Sequence, residues 1–167
     1  EEPNEKIFFL LIYNNNKKIL DTLKSRCLTY KINLTFDNSV HIANKLINEN
    51  ILNLLNIDLI SYYNTPGDFV NLIKFSKLNN LNLNELNLGN FLSLLINEKY
   101  YKKDDFMKSY IFNFIELYFL KVFSKSTYKN NVINFYSKFI RKIDDTNKFN
   151  LDHDSLFMEL KSKILNG

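Results

Sequence analysis

The sequence predicts a mostly helical chain that opens on the remnant of an α/β layer, and three observations carry that expectation. Residues Ile7-Phe8-Phe9-Leu10-Leu11-Ile12-Tyr13 are apolar at every position, the pattern of a strand covered on both faces, as in parallel sheets. One further strand-like segment follows at 27–32, and after Asn33 the apolar spacing changes to the helical period and keeps it. Only 3 Gly and 2 Pro interrupt 167 residues, so long stretches carry no helix breaker. A strand buried on both faces needs neighbours, which a single companion does not supply. The chain is therefore expected to be the C-terminal part of a larger α/β protein.

Taken in order, residues 6–13 are the first strand and 14–17 its exit loop, on the side where open α/β sheets bind ligands. Residues 18–24 make a short helix and 27–32 the second, parallel strand. Asp37, Asn38 or Ser39 caps a helix through about Asn48, with Val40, Ala43, Leu46 and Ile47 facing inward. Short helices are expected around 51–55 and 57–63. Thr65-Pro66-Gly67-Asp68 breaks the chain and starts a helix to about Lys77, whose apolar members are Phe69, Leu72, Ile73 and Phe75. Residues 33–79 thus form a small helical lid, and the alternating Asn and Leu of 79–84 mark the candidate boundary after it. Further helices are expected at 84–97, 104–124, 128–143 and 152–165. The second of these is apolar nearly all round, which calls for burial from several sides. The expected division is 1–32, 33–79 and 80–167.

Composition narrows the chemistry. Hydrophobic residues at 46% suit a packed core. The balance of 22 basic against 18 acidic residues is a mild excess, read as a solvated surface before a nucleic-acid footprint. Lys102, Lys103, Lys121, Lys125 and Lys129 are read the same way. Cys27 is the only cysteine, so neither an intramolecular disulfide nor a cysteine-held zinc is available. His41 and His153 stand apart from each other and from any ligand cluster. Asp104-Asp105 and Asp144-Asp145 are adjacent pairs pointing to different helix faces, read as caps and turns rather than metal ligands. No Gly-x-x-x-x-Gly-Lys-Ser/Thr loop exists, so the chain has no phosphate cradle of that kind. Lys108, Glu116 and Lys121 interrupt the longest apolar segment, and no signal peptide is expected, so a cytoplasmic location is.

Arg26 stands out because lysine is the default cation: only Arg26 and Arg141 are arginines. A guanidinium is planar, always charged and grips phosphate oxygens at two points, which an ammonium does not. The plain alternative is a structural arginine tying its loop to a carboxylate. What separates the two is the surrounding segment, Thr22-Leu23-Lys24-Ser25-Arg26-Cys27, preceded by Glu1-Glu2-Pro3 and the apolar run.

That series resembles the AAA+ clamp-loader subunits of bacterial replicative DNA polymerases, which have a Leu-Glu-Glu-Pro segment, a strand ending at a sensor residue, and a Thr-Ile-x-Ser-Arg-Cys stretch. Asn64-Thr65-Pro66-Gly67-Asp68-Phe69-Val70 is similar to the lid motif of the delta-prime branch. The specific motifs cover residues 1–30 and 64–73. The resemblance implies that the first strands are the end of an AAA+ α/β core, and that residues 80–167 form a helical collar holding subunits in a ring. It implies that Arg26 is an arginine finger acting in trans, with Asn14, at the sensor-1 position, and Ser25 near the neighbour's ATP. No cofactor is then bound by this chain itself. Asp68 stands at about the position where motor subunits carry a sensor-2 arginine, which favours the delta-prime branch. Implied partners are the other clamp-loader subunits, the sliding clamp and, through the complex, primed DNA. The reading from another class is a helical protein-interaction module with a merely structural Arg26.

Overall fold

The computed structural model describes residues 7–13, 19–61 and 64–165. It divides into two units, Glu1–Asn33 and Leu34–Gly167, each taken by itself.

In the first unit the only regular element among the described residues is α1 (Asp21–Lys24), a single turn. No strand forms at 7–13 or 27–32, which corrects the expected pair of parallel strands. Phe8, Leu10 and Ile12 are 93%, 88% and 91% exposed, the reverse of a strand covered on both faces. The physical reason lies in what a strand is. Its N–H and C=O groups are satisfied only by a neighbour, so apolar composition alone does not make one. Cys27 is exposed.

The second unit is helical throughout: α2 (Phe36–Ile47), α3 (Ile51–Leu54), a 3₁₀ turn (Ile57–Leu59), α4 (Pro66–Leu78), α5 (Leu88–Asn97), α6 (Tyr100–Lys103), α7 (Asp105–Lys125), α8 (Lys129–Lys148) and α9 (His153–Leu160), which runs into a π turn at Lys161–Leu165. Helices whose backbone bonds close within themselves need only one apolar face to be held, and the sequence supplies it. Phe69, Leu72, Ile73 and Phe75 of α4 are all buried, as their spacing requires. On α2, Ala43 is fully buried against α4, whereas Leu46 is exposed.

Asparagine does much of the local work. Asn50, Asn56 and Asn87 cap α3, the 3₁₀ turn and α5 by accepting backbone N–H groups at 3.0, 2.9 and 2.9 Å. Asn48, Asn80 and Asn150 take the left-handed backbone conformation that asparagine tolerates better than most residues. The cap of α2 is Thr35, not Asp37, Asn38 or Ser39.

A relay of rings ties the core together. Phe75 of α4 meets Phe91 of α5, Phe91 meets Phe114 of α7, and Phe114 meets Tyr110, with centroids 6.3, 5.2 and 5.0 Å apart. Each edge-on pair adds ~0.5–1.5 kcal/mol beyond its area burial. Residues 79–84 are anchored to this core at Leu83, which is fully buried, and the Asn56 N–H donates to its carbonyl at 3.0 Å. Helix α7 is enclosed as its composition requires, packing on α5 and α6 and on α8, with Met107, Ile111, Phe114, Ile115 and Phe119 buried. On α9, Leu156, Phe157 and Leu160 complete the core.

Candidate functional site

Helix α1 brings Arg26 to the surface through a short set of local bonds. Leu23 and Lys24 donate to the Leu20 carbonyl at 3.0 and 3.1 Å, Ser25 to Asp21 at 3.0 Å, and Arg26 to Leu23 at 3.1 Å. The Ser25 hydroxyl donates to the Thr22 carbonyl at 3.1 Å, closing the turn. Leu20 stands at the N-cap without a side-chain bond, so the helix begins uncapped.

Arg26 is exposed, and its guanidinium makes no ion pair with any described residue. A structural arginine would be tied to a carboxylate, and none of the described carboxylates pairs with this one. Its neighbours in the turn, Ser25 and Cys27, are exposed as well. Asn14, the other residue expected beside ATP, lies outside the described residues. The chain thus brings Ser25 and Arg26 together in one turn.

The turn is weakly held by its own bonds. Each contributes a net ~0.5–1.5 kcal/mol, against ~1–2 kcal/mol of backbone entropy for every residue fixed. A one-turn helix is below the length at which isolated helices persist. Nothing else is buried here: every residue from 20 to 33 is exposed. Fixing the direction of Arg26 therefore requires contacts beyond this segment.

Asp68 is engaged at the start of α4. Its carboxylate accepts from the Thr65 N–H at 2.7 Å and the Thr65 hydroxyl at 2.9 Å, while the Asp68 N–H donates to that hydroxyl oxygen at 3.2 Å. This reciprocal box starts α4, with Pro66 in the first helical turn where its missing N–H costs nothing. Beside it the Asn64 amide donates to the Tyr110 hydroxyl, joining the start of α4 to α7. Burial, and then the Asp68 charge, push the Tyr110 phenol above its ordinary range.

The lysines read as a solvated surface are in several cases committed. Lys121 pairs with Asp58 at 2.8 Å and also donates to the Asp58 carbonyl at 2.9 Å, fastening α7 to the 3₁₀ turn. Lys102 bridges Asp152 and Asp154 at 3.1 and 2.8 Å. Lys103 and Lys129 lie over the rings of Tyr100 and Phe123. Asp104 caps α7 as expected, accepting from the Met107 N–H at 2.8 Å, whereas Asp144 is a mid-helix residue on α8. His153 packs on Phe112 and Phe157, and His41 is exposed on α2. Among the described residues no group of three His, Cys, Asp or Glu side chains is placed to hold a metal ion. No helix among them is long and apolar enough to cross a membrane.

Comparison with protein-family profiles, with curated proteins and with solved structures gives no match.

Proposed function

We propose that this chain is a delta-prime-like subunit of a bacterial clamp loader, which lends Arg26 in trans to an ATP held by a neighbouring subunit. The observation that carries the proposal is Arg26 itself: exposed, unpaired among the described residues, and presented from the Ser25 turn of the Thr-Leu-Lys-Ser-Arg-Cys segment. Its role is electrostatic. As the γ-phosphoryl group transfers, charge spreads over its oxygens, and a two-point guanidinium stabilises that state more than the ground state.

The rest of the chain supports Arg26 in this reading. Residues 33–79 serve as the lid, and the enclosed helices of 80–167 supply the collar that holds the ring. The chain binds no nucleotide of its own and adds no nucleotides to DNA. Its partners are the other clamp-loader subunits, the sliding clamp and, through the complex, primed DNA, all in the cytoplasm.

A helical protein-interaction module without a nucleotide link is favoured by one observation, the absence of any strand among the described residues. Co-expression separates the two readings. With the clamp-loader ATPase subunits of the same cell, this chain is expected to co-purify as a defined hetero-oligomer that survives gel filtration. Elution of the chain alone, with the ring assembling without it, sinks the proposal.

A further inference from the structure

Along α7, Asn113, Glu116 and Leu120 form an exposed ridge with a cleft on either side. The first cleft, about 370 Å³, runs between the ridge and the start of α4, with Asp68 and Tyr110 on its polar wall and Leu117 and Leu120 on its apolar one. The second, about 170 Å³, lies between α7 and α8, where Tyr136, Ile140, Ile143 and Asp144 face the ridge. Asn113 and Glu116 line both.

Charge is partitioned here against the composition of the chain. The two clefts are lined by three carboxylates, Asp68, Glu116 and Asp144, and by no lysine or arginine. Yet basic residues outnumber acidic ones, 22 to 18. Two lysines next to the clefts on these helices are already committed, Lys121 to Asp58 and Lys142 to Glu159. Burial, and then the Glu116 charge, hold the Tyr136 phenol in its neutral form, so each cleft sets a carboxylate beside a neutral hydroxyl. The carboxylates are also spread out: they are not among groups close enough to share a metal ion. A point cation does not match such a surface, whereas a row of cations on aliphatic stems does. Lysine and arginine lay their methylenes on apolar walls while the charged end reaches a carboxylate.

We propose that the α7 ridge and its two clefts dock a lysine- or arginine-bearing amphipathic helix of a partner protein. Its cationic ends meet Glu116 and Asp144, and its apolar side rests on Leu117, Leu120 and Ile140. The assignment stands apart from the role of Arg26, because it uses only the 34–167 unit.

The test is an amide-shift titration of the whole chain with three probes: a Lys/Leu amphipathic helical peptide, a Glu/Leu peptide of the same pattern, and spermine. The Lys/Leu peptide is expected to saturate, with shifts concentrated at Asn113, Glu116, Leu120, Ile140 and Asp144, and the Glu/Leu peptide to leave them unmoved. Glu116→Lys with Asp144→Lys should weaken binding at least about tenfold, as expected when complementary charges are reversed. Both positions are exposed, so folding should be retained. Should that pair misfold, Glu116→Gln with Asp144→Asn is expected to weaken binding less but measurably. The proposal is overturned by no saturation, by shifts elsewhere, or by undiminished binding to a folded charge variant. Spermine binding as tightly as the peptide would assign the clefts to small polycations instead. Concentration-dependent shifts at these residues without a probe would assign them to a second copy of the chain.

Discussion

Three donors converge on Asp154: Lys99 and Lys102 at 2.9 and 2.8 Å, and the Tyr101 hydroxyl at 2.5 Å. Led by the Lys102 bond, they hold the carboxyl well below the usual carboxylate range, while burial and then Asp154 push the Tyr101 phenol up. An unfolded aspartate titrates near ~3.9. Because the folded value is lower, the stabilisation is present above that pH and fades as pH falls past it. Asp154→Asn is therefore expected to cost about 1–2 kcal/mol near neutral pH and to flatten the loss of stability between pH 5 and pH 2. Urea melts across that range check it. The tyrosines act with the opposite sense. Tyr101 and Tyr110 are raised above the unfolded value of ~10, so their contribution is intact below that pH and declines above it. Tyr110→Phe should shallow the alkaline decline in melting temperature above pH 10. Of these residues the sequence disclosed little, since Asp154 meets donors more than fifty positions away. Arg26 stands out in the sequence because its signal is local: a rare residue type within a short segment.

At the scale of elements, what was legible follows from where each element closes its hydrogen bonds. The face of α4 could be read in full because Phe69, Leu72, Ile73 and Phe75 share one stripe and the box of Thr65 and Asp68 lies within four residues. Thr65→Ala removes that cap and is expected to cost about 1 kcal/mol, read from the denaturant midpoint at unchanged slope. The strands were not decidable in this way. Ile7 to Tyr13 has strand composition, but strand formation depends on a partner. Within residues 79–84 the alternation of Asn and Leu did not show which leucine is anchored; it is Leu83 that finds a buried site. The asparagines at 48, 80 and 150 were invisible as turn residues within a chain that is rich in asparagine throughout.

On the scale of the whole molecule, stability resides in the 34–167 unit. Phe91 is fully buried between Phe75 and Phe114, so Phe91→Ala should cost ~3–5 kcal/mol and loosen α4 and α7 together. A change sensed by probes on only one of those helices would mean that residues 33–79 and 80–167 do not share a core. The described residues of the first unit carry almost no burial, and its amides at 20–33 should exchange orders of magnitude faster than those of α5 and α7. The central claim is tested most directly by ATP turnover at the site this chain completes, in a reconstituted clamp loader whose other ATP sites are inactivated. With Arg26→Lys the ring is expected to assemble normally and turnover to fall by on the order of 10³. Turnover equal to that of the unaltered ring would contradict the claim.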